Sequence, residues 1–591
     1  MMPSTILVIG CGPAGMSFCH AMEAKQQAML DAGEDVSSLP KICVLERAPG
    51  PGGVWRATRR DERNDETRTR ENSTSMYEGL WTNGAKEAIE YFDFSFDEFI
   101  GHALPVYLPR QFVLEYMLAR VTRKCPGFFE KYARFNIEVQ SVDWNAQTNK
   151  FDVVSMNSLL GTITSETYDQ CIWAAGENGK PKIPHSMVTM FRDGGFTGRI
   201  IHSSDTSNFE DDVKGKRVLL IGGSYSAEDL ALTAIKVGAD MIYISSRQND
   251  NIVTWTSDWP YDKVIVLAQM QPVQVKNCGK CIQFSKVDEM HGGVFVVSTE
   301  DEEIGKFDET QTEICDIHTI IFCTGYDCNN SMLSEELKKP FKIIQSPFSY
   351  PLIIPKDWRM DETNLPEHLQ GVEPGNCLWV GSHIIYPDLY KGTLIDNPNM
   401  KYLLGEHYFP LLTIDANAWL LASICTGQYV LPSPIEQHKL NEATALQEMA
   451  KFPLIRYKMD SNFYHHYNST WNNFPEDIQE ECWREFEDSI FDYTLRNYAQ
   501  IMQDGNYPLN IGTIDGLNDL GKSLVQMDGL DYEHRLIENT ADHVEGKWRT
   551  FRDCNNSSEF KSLVTGMQAV PLKMKWMDIS DANDINLFMM K

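Results

Sequence analysis

The sequence predicts an α/β fold: two Rossmann-like dinucleotide-binding βαβ units followed by a mostly helical C-terminal extension. Three observations predict it. Val8-Ile9-Gly10-Cys11-Gly12-Pro13-Ala14-Gly15 follows an apolar run and opens a helix-like stretch. Leu219-Leu220-Ile221-Gly222-Gly223-Ser224-Tyr225-Ser226-Ala227 does the same about 210 residues later. From residue 433 onward the strand pattern gives way to helical periodicity. One such glycine turn signals only a nucleotide. Two suggest a pair of dinucleotides held face to face, as redox chemistry needs.

In chain order, residues 4–9 read as a buried strand and 13–32 as a helix. Residues 41–46 form the next strand, with an acidic residue at its end. The mixed-charge stretch 58–74 reads as a solvated surface loop. Phe135 to Val139 and Phe151 to Val154 alternate like antiparallel strands around a polar turn at Asn145 to Asn149. Residues 168–176 form a strand ending in Ala174-Ala175-Gly176. The second βαβ unit spans 215–246, and a strand at Thr319 to Phe322 ends in Cys323-Thr324-Gly325-Tyr326. Residues 327–375, rich in proline and polar side chains, read as an insertion. Helices are expected at Ser433 to Phe452 and Pro475 to Met502, before an irregular end.

Composition bounds the function. A 591-residue chain with 42% hydrophobic and 23% charged residues is an ordinary globular protein of two to four domains. The net charge of −30 argues against nucleic acid or an anionic membrane as partner. No secretory signal is visible, and the longest apolar candidate, Pro410 to Ile424, is short and interrupted by Asp415 and Asn417. Fourteen cysteines lie scattered without a disulfide framework, which fits a reducing, cytoplasmic setting.

At the first turn Gly10 permits the tight bend, Gly12 lets the backbone approach a pyrophosphate, and Gly15 allows close helix–strand packing. Phosphates belong at the following helix N-terminus. Glu46 is placed to accept from ribose hydroxyls, 31 residues after Gly15, so the helix or loop between them is extended. A fold that starts at residue 4 with this turn is typical of flavoproteins. Gly50-Pro51-Gly52-Gly53-Val54-Trp55 adds backbone donors and an aromatic surface suited to a flavin. The second turn has Ser224 where glycine is usual, and no carboxylate ends its second strand. Ile244-Ser245-Ser246-Arg247 stands there instead, and an arginine would pair with a 2′-phosphate, favouring NADP over NAD. The plain alternative for Arg247 is a surface arginine.

Further motifs carry a family resemblance. Phe196-Thr197-Gly198-Arg199-Ile200-Ile201-His202 resembles the signature of class B flavin-dependent monooxygenases, and Phe322-Cys323-Thr324-Gly325-Tyr326 their second signature. Trp81-Thr82-Asn83-Gly84-Ala85-Lys86-Glu87 is similar to their active-site asparagine segment. Within the family the chain resembles the bacterial trimethylamine monooxygenase branch, in Ser75-Met76-Tyr77 through Glu87, Gly223 to Asp229, Leu389-Tyr390-Lys391-Gly392, Asp415 to Trp419 and Thr550-Phe551-Arg552-Asp553.

The resemblance implies an FAD-binding domain (1–175, resuming at 313–432 with the insertion 327–375), an NADPH-binding domain (176–312) and a C-terminal extension (433–591). It implies that FAD contacts Gly10, Gly12, Ala14, Gly15, Glu46, Val54, Trp55, Asn83 and Val139. NADPH would contact Trp81, Asn83, Ser224, Tyr225, Ser226, Arg247 and Arg552. The activity implied is NADPH- and O₂-dependent formation of a C4a-hydroperoxyflavin that oxygenates a soft nucleophile, a small tertiary amine such as trimethylamine or a sulfide. Asn83 would be the key polar side chain, although Asn83-Gly84 also reads as a turn dipeptide. The chain departs from the family at Thr206, where an aromatic residue is usual. It departs again in the shortened loop Gly405 to Leu412, where His407 falls near a glutamine position over the flavin.

Other readings stay beside this one. Cys278 and Cys281 form a C-x-x-C that reads as surface-loop cysteines rather than a redox pair or half a metal site, and no metal is expected. His202 reads as a link between domains rather than an acid–base residue. Trp255, Trp259 and Tyr261 either line a channel or pack at the domain seam. Baeyer–Villiger oxygenation of ketones shares every dinucleotide motif. A disulfide reductase would need a cysteine pair near the flavin, and a non-oxygenating NADPH-dependent flavoprotein is a third class. A homodimer is compatible with the sequence and not required by it.

Overall fold

The computed structural model describes residues 4–56, 76, 80, 82, 89–91, 93–100, 108, 110–177, 179–206, 208–223, 225–246, 263–276, 279–286, 312–341, 378–380, 383–385, 388–404 and 410–440. β1 (Thr5–Ile9) runs into α1 (Pro13–Asp31), and β2 (Lys41–Glu46) returns parallel to β1, pairing Thr5 with Lys41 through Ile9 with Leu45. The extra length between Gly15 and Glu46 is taken up by this 19-residue helix and a 3-10 turn at Val36–Ser38. α2 (Phe96–Ile100), α3 (Arg110–Thr122) and α4 (Phe128–Tyr132) follow.

β3 (Ala133–Phe135) pairs in parallel with β2, whereas β4 (Ile137–Asn145), β5 (Lys150–Asn157) and β6 (Thr162–Tyr168) form a separate antiparallel meander. The expected continuous strand Phe135 to Val139 is therefore two strands. Asn136, at φ 59°, turns the chain from one sheet to the other, a left-handed conformation that asparagine tolerates. The expected strand 168–176 is likewise shorter: Tyr168 closes β6, and β7 (Gln170–Trp173) lies parallel to β1.

β8 (Lys180–Pro181) and α5 (His185–Asp193) lead to the second unit. It comprises β9 (Arg199–His202), α6 (Phe209–Val213), β10 (Arg217–Ile221), α7 (Tyr225–Val237), β11 (Met241–Ser245) and β12 (Val264–Leu267). β13 (Met270–Lys276), β14 (Cys281–Lys286) and β15 (Thr312–Cys315) make a small antiparallel sheet, and β16 (Thr319–Phe322) completes the parallel one in the order β12-β11-β10-β16-β9. Val275, Ile282, Phe284 and Ile314 of the small sheet pack with Leu219, Ile221 and Phe322 of the parallel one. β17 (Tyr326–Asp327) pairs with β8, and β18 (Leu378–Val380) with β19 (His383–Ile385).

The chain then returns to the first sheet. β20 (Leu389–Tyr390), β21 (Thr393–Leu394) and β22 (Met400–Tyr402) extend it to the order β20-β21-β22-β7-β1-β2-β3, and α8 (Pro410–Cys425) packs on α1. Within 327–375, Leu333 and Leu337 are buried in the first core, and the Tyr402 hydroxyl donates to Leu337 O. Residues 434–440 are helical. The rest of the expected C-terminal helices, the 58–74 loop and the Trp255 to Tyr261 cluster lie outside the described residues. Among the described residues no helix is long and apolar enough to cross a membrane. α8 owes its apolar character to burial, and its one carboxylate, Asp415, is met by Arg120 through two hydrogen bonds of 2.7 and 2.8 Å.

Candidate functional site

Both glycine turns are built from the same parts. Gly10 has φ +98° and donates to Leu45 O at 2.9 Å; a β-carbon there would stand 2.8 Å from Ala174 O. Gly222 has φ +110° and donates to Ser245 O at 2.9 Å; its β-carbon would stand 2.3 Å from Cys323 O. In each case the chain leaves a central strand, bends left-handed over the end of a parallel neighbour and enters a helix. Only glycine makes that bend without strain or collision.

At the first turn the remaining predicted residues converge. Gly15 lies so close to the strand end that a β-carbon would meet Gly10 O at 2.1 Å. Gly12 faces Gly53, with a β-carbon on the latter only 2.8 Å from Gly12 Cα. Gly52 donates to Cys11 O at 2.9 Å, so the second glycine run is docked on the first. Val54 and Trp55 follow in the 3-10 turn Gly53–Trp55, with Trp55 half-buried against the apolar core. Ala14 sits in the first turn of α1, which has neither a side-chain cap nor an acidic residue. Its first amides therefore point at the strand ends with the positive end of the helix dipole behind them. Glu46 is buried, with Oε2 accepting from Cys11 N at 2.7 Å and Oε1 from Ala48 N at 2.8 Å. Each carboxylate oxygen keeps acceptor capacity after one bond. A side-chain-free cradle, an uncapped helix start and a fixed carboxylate fit an adenine dinucleotide.

The Cys11 side chain, between the two glycines, belongs to the first apolar core, and burial, reinforced by the Glu46 charge, pushes its thiol well above the ordinary thiol range. It is a packed, protonated group and not a nucleophile. Val139 is buried at the irregularity in the β4–β5 pairing, in the core beneath β1 and β2. The structure therefore brings Gly10, Gly12, Ala14, Gly15, Glu46, Val54 and Trp55 together and places Val139 on the neighbouring meander.

At the second turn Gly223 is half-buried, α7 starts at Tyr225, and Ser226 lies in its first turn. β11 ends at Ser245 and Ser246 follows it, both buried, with Ser245 Oγ donating to Met270 O at 2.7 Å. Glu228 is an acidic residue in the first turn of α7, which α1 lacks. Trp81, Asn83, Ser224, Arg247, His407 and Arg552 lie outside the described residues.

His202, at the end of β9, is buried. Its Nδ1 accepts from Ser204 N at 3.2 Å, so the proton is on Nε2, which donates to Gly325 O at 3.0 Å. Burial lowers its pKa to about 4, and the ring lies edge-on to Tyr326. This is a neutral tie between the two signature segments. Cys281 is buried on β14 rather than in a surface loop and is disulfide-bonded to Cys315, its direct partner on β15. The expectation of free, scattered cysteines misses this pair because it depends on strand register across 34 residues. Cys278 lies outside the described residues. Sequence reading also missed Arg110, a buried cation whose Nη1 donates to the Trp55 carbonyl.

Residues 27–289 match the family model for flavin-binding monooxygenase-like proteins. The trimethylamine monooxygenase of Roseovarius nubinhibens is 29% identical over 438 residues, covering 73% of this chain and 77% of the relative. The crystal structure of Tmm from Pelagibacter sp. superposes with a TM-score of 0.55 at 22% identity, covering 87% of this chain and 90% of that one. The S-allyl-L-cysteine S-oxygenase of Allium sativum shares the fold at a TM-score of 0.50 and 17% identity, covering 88% and 98%.

Proposed function

We propose that the chain is a class B flavin-dependent monooxygenase that N-oxygenates a small tertiary amine such as trimethylamine. The enzyme uses FAD, NADPH and O₂. The observation that carries the proposal is the docking of two glycine runs, Gly10–Gly12 and Gly52–Gly53, beside Glu46. The amine class is supported by the similarity to named trimethylamine monooxygenases.

In this reading the first turns of α1 and the glycine cradle bind the flavin's pyrophosphate, and Glu46 accepts from its ribose. Val54, Trp55 and Val139 complete that wall. Trp81, Ser224, Tyr225, Ser226, Arg247 and Arg552 hold NADPH, with Arg247 on the 2′-phosphate. Once reduced by NADPH, the bound flavin supplies activated oxygen; the protein supplies geometry and dryness. Asn83 donates a fixed hydrogen bond in a water-poor pocket, where a preorganised dipole is worth more than in water. His407 lies over the flavin and shapes the substrate side. The domain division at 175, 312 and 432, the helical C-terminal extension and a cytoplasmic setting belong to the same reading.

The test is product analysis with trimethylamine, a dialkyl sulfide and a cyclic ketone. Trimethylamine N-oxide formed in step with NADPH consumption is expected. Lactone from the ketone as the main product, or NADPH oxidation yielding only hydrogen peroxide with every substrate, overturns the proposal.

A further inference from the structure

Arg110, the first residue of α3, touches two parts of the candidate site at once. Its backbone N–H donates to Leu80 O at 2.8 Å. Thr82 N–H donates to Leu108 O at 2.9 Å, and Leu108 N–H donates to Thr82 Oγ1 at 3.0 Å. Leu80 and Thr82 are thus bonded to Arg110 and Leu108 in antiparallel order, and Thr82 immediately precedes Asn83 in the chain. The Arg110 guanidinium meanwhile donates to the Trp55 carbonyl. One helical turn on, Leu114 closes against Gly52, where a β-carbon would stand 2.3 Å from Leu114 Cδ1. Gly52 is bonded to Cys11 O. Arg110 is 6% exposed and Thr82 6%, so these bonds are sheltered from water.

The other end of α3 is anchored. Arg120, 1% exposed, forms its two hydrogen bonds to Asp415 of α8 and a third to Asp93 Oδ1 at 2.7 Å, with its guanidinium 3.9 Å from the centre of the Tyr91 ring. Burying several charges in one place is costly unless they are mutually paired. With those partners fixed, α3 has little freedom to slide. A helix pinned at one end and bonded to two separate segments at the other acts as a spacer between them.

We infer that Arg110 is a positioning residue that ties Leu80 and Thr82, next in the chain to Asn83, to the turn Gly52–Trp55, which is itself docked on the first glycine turn. The inference rests on the reading of Asn83 given above. A guanidinium suits the task because its planar, rigid fork is pre-organised, so less freedom is lost per bond than with a lysine stem. Misplacing a reacting group by about 1 Å can cost about 100-fold in rate. The consequence of losing Arg110 is therefore lost oxygen transfer, more than lost flavin.

The experiment uses the FAD-loaded enzyme with trimethylamine and compares R110Q, R110K, T82V, T82S and N83A. Measured are FAD content, NADPH oxidation per bound flavin, product per NADPH, and hydrogen peroxide. For R110Q, NADPH oxidation per flavin is expected to stay within about twofold of wild type, while product per NADPH falls about tenfold and peroxide makes up the difference. R110K, which keeps a cationic donor, recovers most of the coupling. T82V shifts coupling in the same direction by a smaller factor, and T82S restores it. Full coupling in R110Q, or a loss of FAD with unchanged product per NADPH, overturns the inference. If R110Q does not fold, T82V against T82S decides: coupling in T82V equal to T82S overturns it. N83A separates the two readings. Normal coupling in N83A defeats the role of Asn83 itself, whereas an uncoupled N83A beside coupled R110Q and T82V defeats only the positioning role.

Discussion

At the first turn Gly10 donates to the end of β2 and faces Ala174, the residue after β7. At the second, Gly222 donates to the end of β11 and faces Cys323, the residue after β16. The backbones are equivalent, and the side chains around them are not. β2 ends in Glu46, whose carboxylate is already bonded to two amides, while β11 ends in the hydroxyl of Ser245, followed by that of Ser246. α1 begins without an acidic residue, while α7 carries Glu228 in its first turn. A second glycine pair closes over the first turn, at Gly52 and Gly53. The two bends share one backbone geometry, and on the proposed reading the residue that ends the next strand distinguishes their ligands.

The largest effects should come from the bends. G10A adds a β-carbon at positive φ and against a carbonyl, so the purified protein should be colourless, without bound flavin. G222A should stay yellow but fail to be reduced by NADPH while still accepting electrons from dithionite. A yellow, NADPH-reducible G10A would break the assignment of the two turns. Next come the strand ends. A hydrogen bond to a charged group contributes about 1.5–3 kcal/mol, so E46Q should weaken FAD binding about 10- to 100-fold in equilibrium dialysis with NADPH affinity unchanged. R247A should raise the KM for NADPH by a similar factor, about 10- to 100-fold, and leave that for NADH nearly unaltered. Equal loss with both nucleotides would remove Arg247 from the 2′-phosphate.

The smallest effect concerns the tie between the two signature segments, at the ends of β9 and β16. His202 is held neutral, with a folded pKa of about 4 against an ordinary 6.5. Between those values the unfolded chain binds a proton that the folded protein does not. Stability from this group is therefore complete above about pH 6.5 and lost as pH falls toward 4, by at most about 3 kcal/mol. H202Q cannot titrate, so its urea midpoint should fall less than that of wild type between pH 6.5 and 4. Parallel decline of the two proteins would refute the neutral tie.

Much of this comparison was legible in the sequence because it rests on local signals: apolar runs, glycine spacing and the residue closing each second strand. Glu46 and the serines of β11 were readable for that reason. What could not be read depends on register or on distant pairing. Asn136 divides one apparent strand between two sheets through a single dihedral angle. Cys281 meets Cys315 only because β14 and β15 pair in that register. Arg120 and Asp415 are 295 residues apart, and each alone looks like an ordinary surface charge. Arg110 gave no signal, since its role depends on what Leu80 and Trp55 do around it.

The return of β20–β22 and α8 to the first sheet also has a consequence for how the molecule is made. Lys25 of α1 donates to Ser423 and Gln428, across 398 and 403 residues. As the polypeptide leaves the ribosome, β9 through β16 emerge as one uninterrupted stretch, while β7 and α1 still wait for neighbours encoded far downstream. Long-range closure of this kind is slow and leaves apolar surface open in the meantime. The second nucleotide unit should therefore mature first. Flavin capture should be a late event in biosynthesis, gated by the arrival of Ser423 and Gln428 at Lys25.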